Sequence, residues 1–166
     1  VQKVSKDPAN GFHHPYFLYT PPASQVTNSG NSTLDNVDPR PIVVGFRTWG
    51  SSSERDQKVA DAQSDLNGRS KIRVIADELN TPAMMIPIPS STDDGRFELL
   101  NRDSLRISEG PYERLDLQII SMIDDATQRL ADQPYGIANK VHLDGFSNND
   151  RLCDQLSILH PERINA

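Results

Sequence analysis

Residues 140–149 read KVHLDGFSNN, and this stretch decides the predicted fold. Its first five residues, with Val141 and Leu143 at alternate positions, are typical of a short strand, and leucines at helical spacing follow them. Ser147 therefore falls at a strand-to-helix turn. A serine at a sharp turn of this kind presents its hydroxyl above the sheet, beside the free amides and the positive end of the helix. Ser147 is a candidate nucleophile.

The residues around Ser147 match such a turn only in part. The tight turn asks for glycine two residues before the serine, and Gly145 supplies it. It also asks for a small residue two positions after the serine, where this chain has Asn149. Asp150 adds a negative charge that suits a helix N-terminus but opposes a nearby oxyanion. The residues alone leave two interpretations open: a catalytic nucleophile, or a structural turn in which Ser147 caps the helix.

Strand and helix patterns alternate along the rest of the chain. Strands are predicted at residues 16–20, 41–46, 83–88 and 140–144, and helices at residues 54–66, 72–79, 115–132 and 152–159. The proline within 83–88 is expected near the end of its strand. This alternation predicts a three-layer α/β domain with a mainly parallel sheet. Residues 1–40 are expected to be an N-terminal segment with one edge strand, and residues 41–166 the main domain.

Composition and motifs exclude several classes of protein. The net charge is −6 with both signs scattered, which argues against a nucleic-acid partner because phosphate binding needs a concentrated basic face. No apolar run approaches the roughly 18 residues of a membrane span. Cys153 is the single cysteine, and phosphate-loop, dinucleotide and metal-binding motifs are absent. We therefore predict no cofactor and no metal, and the sequence carries no readable target address.

Beyond the turn, the chain resembles α/β-hydrolase fold proteins of the bacterial esterase and polyester-depolymerase-like group. The likeness runs over most of the chain from Tyr16 to Ala166. It is carried by residues 16–21, residues 42–53, the RLDLQ run at 114–118, residues 122–126, residues 144–147 and the HPER run at 160–163. The fold implied is an α/β-hydrolase fold that is incomplete in these residues.

The resemblance implies a serine hydrolase that cleaves a carboxylic ester, small or polymeric, through an acyl-enzyme intermediate. Ser147 would be the nucleophile, and the backbone N–H of Asn148 would be one oxyanion donor. The second donor in this fold comes from the loop after an early central strand, which makes the N–H of Thr48 or Trp49 the candidate. The Trp49 side chain would either form a wall of the acyl pocket or cover the edge of the core.

The catalytic acid and base are not found among these residues. In this fold they follow the serine in the order acid, then histidine, and only nineteen residues follow Ser147. His160 would lie at the far end of the helix, about 20 Å away at 1.5 Å per residue. His142 is expected to point into a neighbouring layer. His13 and His14 are adjacent beside a proline, and neighbouring residues rarely converge on a metal without further ligands.

We therefore expect the N-terminal half of a serine esterase, ending after the nucleophile helix, with acid and base outside it. The alternative is a non-catalytic α/β-hydrolase-like domain that binds a ligand or a partner. Asn149, Asp150 and the missing histidine favour this alternative. A sheet that stops at the strand before Ser147 leaves an unpaired edge, which predicts self-association of the isolated chain.

Overall fold

The computed structural model describes residues 1–22, 39–49, 52–89, 102–145 and 148–165, which form a mixed sheet with helices on both faces. The strands are β1 (Gln2–Val4), β2 (Tyr16–Tyr19), β3 (Val43–Trp49), β4 (Ala83–Pro89), β5 (Val141–Asp144) and β6 (Ile164–Asn165). The helices are α1 (Arg55–Asn67), α2 (Lys71–Leu79), α3 (Leu115–Arg129) and α4 (Asn148–Leu159). The predicted alternation of strand and helix is confirmed.

The sheet has the strand order β1-β2-β4-β3-β5-β6. Strand β3 pairs in parallel with β4 and with β5, and β5 pairs in parallel with β6. The two N-terminal strands add antiparallel ladders, β1 to β2 and β2 to β4. The predicted α/β fold with a mainly parallel sheet is therefore confirmed.

Two apolar cores lie on opposite faces of the sheet because successive side chains of a strand point to opposite faces. In β2, Tyr16 and Leu18 join the core under α3 and α4, whereas Phe17 and Tyr19 join the core under α1 and α2. The first core takes Ile119, Met122, Ile123, Ala126, Leu152 and Leu156 from its helices, and the second takes Ala62, Leu66, Ile72 and Ala76. The helices thus sandwich the sheet in three layers.

The N-terminal segment differs from its prediction. It supplies two strands instead of one, and β2 lies inside the sheet, between β1 and β4. Strand β1 is not predicted from the sequence because Gln2–Val4 is short and mostly exposed, and only Val4 is buried. The division at residue 40 remains a prediction.

The other end of the sheet also carries one strand more than expected. Helix α4 is followed by β6, which pairs with Val141 and His142 of β5. The unpaired edge therefore falls on β6 among the described residues, and self-association through it remains a prediction.

Pro87 lies inside β4 rather than at its end. Strand β2 pairs only with Ala83–Met85 of β4, so beyond Met85 β4 has no partner on that side among the described residues. A proline is tolerated there because its missing N–H breaks no ladder hydrogen bond on an unpaired side.

A buried ion-pair cluster joins α3 to the end of α4. Asp116 is fully buried and accepts two hydrogen bonds from Arg114, at 2.9 and 2.7 Å. The Nε2 atom of His160 lies 3.1 Å from the same carboxylate. Burial raises the pKa of Asp116, but the hydrogen bonds from Arg114 and His160 outweigh it and hold the pKa below its ordinary value. The RLDLQ and HPER runs therefore meet in one structural contact.

We predict that Asp116→Asn lowers the free energy of unfolding by about 2 kcal/mol, because the buried amide has one acceptor oxygen and no charge to receive the hydrogen bonds from Arg114 and His160. Asp124→Asn is the matched control, since Asp124 pairs with Arg163 but is 57% exposed, and it should cost less than about 1 kcal/mol. Urea unfolding at pH 7 measures both losses.

The pH dependence follows from the sign of the Asp116 shift. A carboxylate whose pKa is lowered on folding stabilises the fold above its unfolded pKa, and this contribution is lost as the pH falls through the folded pKa. The difference in unfolding free energy between wild type and Asp116→Asn should therefore become smaller in strong acid. Equal losses of unfolding free energy for Asp116→Asn and Asp124→Asn at pH 7 would contradict a stabilising role for the contacts of Asp116.

Candidate active site

The candidate site lies where the carboxyl ends of β3 and β5 meet the start of α4. Strand β5 ends at Asp144 and α4 begins at Asn148, so the strand-to-helix connection is shorter than predicted. Ser147, the candidate nucleophile, lies outside the described residues, as does Phe146.

Gly145 lets the helix approach the end of β5 closely. A Cβ atom at this position would lie 2.8 Å from Oδ1 of Asp150, 2.9 Å from Sγ of Cys153 and 3.0 Å from Cα of Asp150. The last contact is with backbone, which cannot rotate away as a side chain can. Glycine two residues before Ser147 is thus required by the packing of α4 against the turn.

Asn149 fastens the first turn of α4 to the end of β3. Its Nδ2 donates to the carbonyl oxygen of Phe46 at 3.0 Å, and its Oδ1 accepts from Oγ1 of Thr48 at 3.1 Å. Strand β5 pairs with β3 only as far as Gly45, so this carbonyl lies beyond the β3–β5 ladder. The asparagine that departs from the small-residue pattern therefore bonds the strand end that the ladder leaves unpaired.

The direction of the β3 backbone separates the two candidate oxyanion donors. In a parallel strand, the amide groups of successive residues point alternately to the two neighbouring strands. The N–H of Val43 donates toward β4, and the carbonyl of Phe46 faces Asn149 on the β5 side. By this alternation the N–H of Thr48 faces β5 and α4, whereas that of Trp49 faces β4.

Trp49 is buried against a histidine from the N-terminal segment. Only 4% of Trp49 is exposed, and the ring of His14 lies 5.7 Å from it at an interplanar angle of 75°. The Nε2 atom of His14 donates to the carbonyl oxygen of Pro111 at 2.9 Å. Burial lowers the pKa of His14 to about 4, so the ring is neutral at pH 7. This burial favours Trp49 as part of the packed core edge, and a role as an acyl-pocket wall remains a prediction.

The burial of His14 does not follow from the adjacency of the two histidines, 13 and 14, in the sequence. Phe12, His14 and Tyr16 stand at alternate positions, and all three are buried. That alternation is the sequence signal that separates His14 from the half-buried His13.

His142 was predicted to point into a neighbouring layer, and this prediction is wrong because the residue is exposed. Helices α1 and α2 pack on β2, β3 and β4, and they reach β5 through the ion pair of Lys71 with Asp144 at its end rather than through comparable packing. The face of β5 that carries His142 is therefore not covered by them. His160 follows the far end of α4 and contacts Asp116, as expected for a histidine remote from the turn.

A cleft of about 350 Å³ lies beside the site, on the α1 and α2 face of the sheet. Two ion pairs line it, Arg47 with Asp65 and Lys71 with Asp144, each at 2.5 Å. Its remaining lining residues are Gly45, Phe46, Ser70, Ile72, Met85 and Asn149. The paired charges leave the cleft without a net excess of either sign.

Two further findings concern the described part of the chain. Its His, Cys, Asp and Glu side chains form no group of three or more that could hold a metal ion. None of its helices is long and apolar enough to cross a membrane.

Comparison with known proteins gives one informative structural likeness. No family model matches the chain, and no curated protein matches it. A crystal structure described as a thermostable esterase matches with a TM-score of 0.53 and 19% sequence identity, over 96% of this chain and 37% of that one. The chain therefore shares the fold of that esterase and spans little more than a third of its length.

We predict that Gly145→Ala lowers the free energy of unfolding by about 1–3 kcal/mol, because the added methyl group must displace the first turn of α4. Gly45→Ala is the control, since its Cβ would meet Met85 Sδ at 2.7 Å and Ile72 Cδ1 at 2.8 Å, both at the ends of flexible side chains. Chemical denaturation should give the smaller loss for Gly45→Ala. A larger loss there would contradict the tight packing inferred at the turn.

Proposed function

We propose that Ser147 is the nucleophile of a carboxylic ester hydrolase that acts on a small-molecule or polymeric ester. The observation that carries the proposal is the connection from β5 to α4. Gly145 packs directly against α4, and Asn149 bonds the first turn of α4 to β3. The connection from β5 to α4, in which Ser147 falls by sequence, therefore joins two closely packed elements at the carboxyl ends of parallel strands, where ligands bind in open α/β folds. The likeness in fold to an esterase supports the same proposal.

Two backbone N–H groups are suited to stabilise the oxyanion. Asn148 opens α4, and the first N–H groups of a helix have no partner within it. Thr48 supplies the second donor, because its N–H faces the start of α4 whereas that of Trp49 faces β4. A preorganised donor of this kind contributes about 3 kcal/mol to transition-state stabilisation.

The proposed reaction has two steps. The Ser147 oxygen attacks the ester carbonyl, its proton passes through the base to the alkoxy oxygen, and the alcohol leaves as the acyl-enzyme forms. Water then attacks the acyl-enzyme and gives up a proton through the base to the Ser147 oxygen. The carboxylic acid product is released and the free enzyme is restored. We propose that the acid and the base come from chain outside these 166 residues, since His160 is bonded to Asp116 and His14 to Pro111.

A non-catalytic binding domain is the second candidate, and one contact favours it. The Asp150 carboxylate reaches the turn, with Oδ1 2.8 Å from the position of a Gly145 Cβ atom. A negative charge at this distance from the turn opposes an oxyanion there. The two candidates differ in whether Ser147 is reactive.

We predict that the full-length natural protein reacts with one equivalent of a fluorophosphonate probe at Ser147. Ser147→Ala should abolish the adduct and lower kcat/KM for an activated ester by at least about 10³-fold. Ser157→Ala is the matched control, since Ser157 lies on α4 and its hydroxyl donates to the carbonyl of Cys153. This variant should keep both the probe adduct and the wild-type kcat/KM. A folded, unlabelled wild type would instead identify a binding domain.

We also predict that Asp150→Asn increases the rate of acylation about threefold, because it removes a negative charge near the oxyanion in a partly screened setting. Asp154→Asn, one turn further along α4 and exposed, should leave the rate unchanged. Stopped-flow measurement of the probe reaction compares the two variants. A slower reaction for Asp150→Asn would mean that the carboxylate assists the chemistry.

A further inference from the structure

The contact between His14 and Trp49 joins the N-terminal segment to the strand end at the proposed site. His14 is 7% exposed and Trp49 is 4% exposed, so the two rings meet inside the protein. Trp49 is the last residue of β3 and follows Thr48 directly. Whatever holds the indole therefore also limits the movement of the backbone that carries the Thr48 N–H.

His14 is itself held by a network anchored on α3. The Pro111 carbonyl accepts from Nε2 of His14 at 2.9 Å and from Nε2 of Gln118 at 3.2 Å. Gln118 is nearly fully buried, and its Oε1 accepts from the backbone N–H of His13 at 2.8 Å. The His14 ring is thus hydrogen-bonded to a carbonyl that Gln118 of α3 also holds.

We propose that His14 is a positioning residue, whose imidazole braces the indole of Trp49 and so fixes the carboxyl end of β3, including the N–H of Thr48. The catalytic consequence rests on the proposed ester hydrolysis, in which Thr48 donates to the oxyanion. The brace itself is a statement about structure and is measurable without any activity.

The surroundings of His14 make the brace sensitive to acid. Among the described residues, the cations that act on its ring are Arg55 from the start of α1 and Lys6 from the N-terminal segment, and the neighbouring His13 acts in the same direction. Burial and these cations disfavour the charged ring, and the pKa of His14 is lowered to about 4. The neutral ring therefore persists through mildly acidic pH, and protonation near pH 4 introduces a buried charge beside the indole.

The test follows Trp49 by fluorine NMR in protein labelled with 5-fluorotryptophan. Trp49 is the sole tryptophan of these 166 residues, and in a longer chain its resonance is the one that Trp49→Phe removes. We expect this resonance to titrate with a midpoint near pH 4. His14→Phe keeps a ring against the indole and should abolish the titration while leaving the shift at pH 7 close to wild type. His14→Ala removes the ring and should change the shift at pH 7.

Amide spectra and kinetics complete the test. His14→Ala should move the Thr48 amide resonance and lower kcat for ester hydrolysis about tenfold or more, with KM changed less than twofold, as a displaced catalytic group does. His14→Phe should recover most of kcat at pH 7. His13→Ala is the matched control, because the adjacent ring has no described contact with Trp49, and it should leave the Trp49 and Thr48 signals in place.

Each outcome decides one of the two proposals. Unchanged Trp49 and Thr48 signals in folded His14→Ala would overturn the brace. A titration of the Trp49 resonance that survives in His14→Phe would overturn the acid sensitivity assigned to His14. Moved signals with unchanged kcat in an active enzyme would overturn the catalytic consequence. A wild type that hydrolyses no ester would refute the proposed function, while the NMR signals would still decide whether His14 fixes Trp49.

Discussion

The alternation of side chains and amides along β3 is the constraint on which the rest of the structure depends. Strand β3 is paired in parallel on both sides, with β4 from Val43 to Trp49 and with β5 from Val43 to Gly45. Val44 and Phe46 point into the core under α3 and α4. Gly45 points the other way and leaves room for Ile72 of α2. The same alternation turns the amides of Phe46 and Thr48 toward α4. One strand therefore sets the positions of both helical layers and the direction of the candidate oxyanion donor.

Two packing requirements oppose each other where the first turn of α4 meets the ends of β3 and β5. The helix must come close enough to present its first amides at the sheet edge, which leaves no space for a side chain at Gly145. The same closeness buries the end of β3 past its ladder with β5, and a buried carbonyl without a donor is costly. Asn149 supplies that donor and also accepts from Thr48. A smaller residue would relieve crowding but would leave the Phe46 carbonyl without this donor.

Sequence patterns predict the elements of this fold better than the contacts at its site. The helices α1 to α3 and the strands β3 to β5 follow from apolar spacing, because burial enforces that spacing directly. Strand β1 does not, since three mostly exposed residues carry no periodic signal. The role of Asn149 was hidden for a different reason: its partners, Phe46 and Thr48, are about a hundred residues away along the chain. His14 lies between these cases, because its alternation with Phe12 and Tyr16 is local but its contact with Trp49 is not.

Helix α4 is held at both ends by polar contacts, and the contact at its far end comes from the RLDLQ and HPER runs. Asn149 bonds its first turn to β3, and His160, just past its last turn, contacts the buried carboxylate of Asp116 on α3. A helix tied at one end can still tilt about that end. Tied at both, α4 keeps its first amides at a fixed height above the sheet edge. The contact between RLDLQ and HPER therefore contributes to the position of the first turn of α4 from the opposite end of the helix.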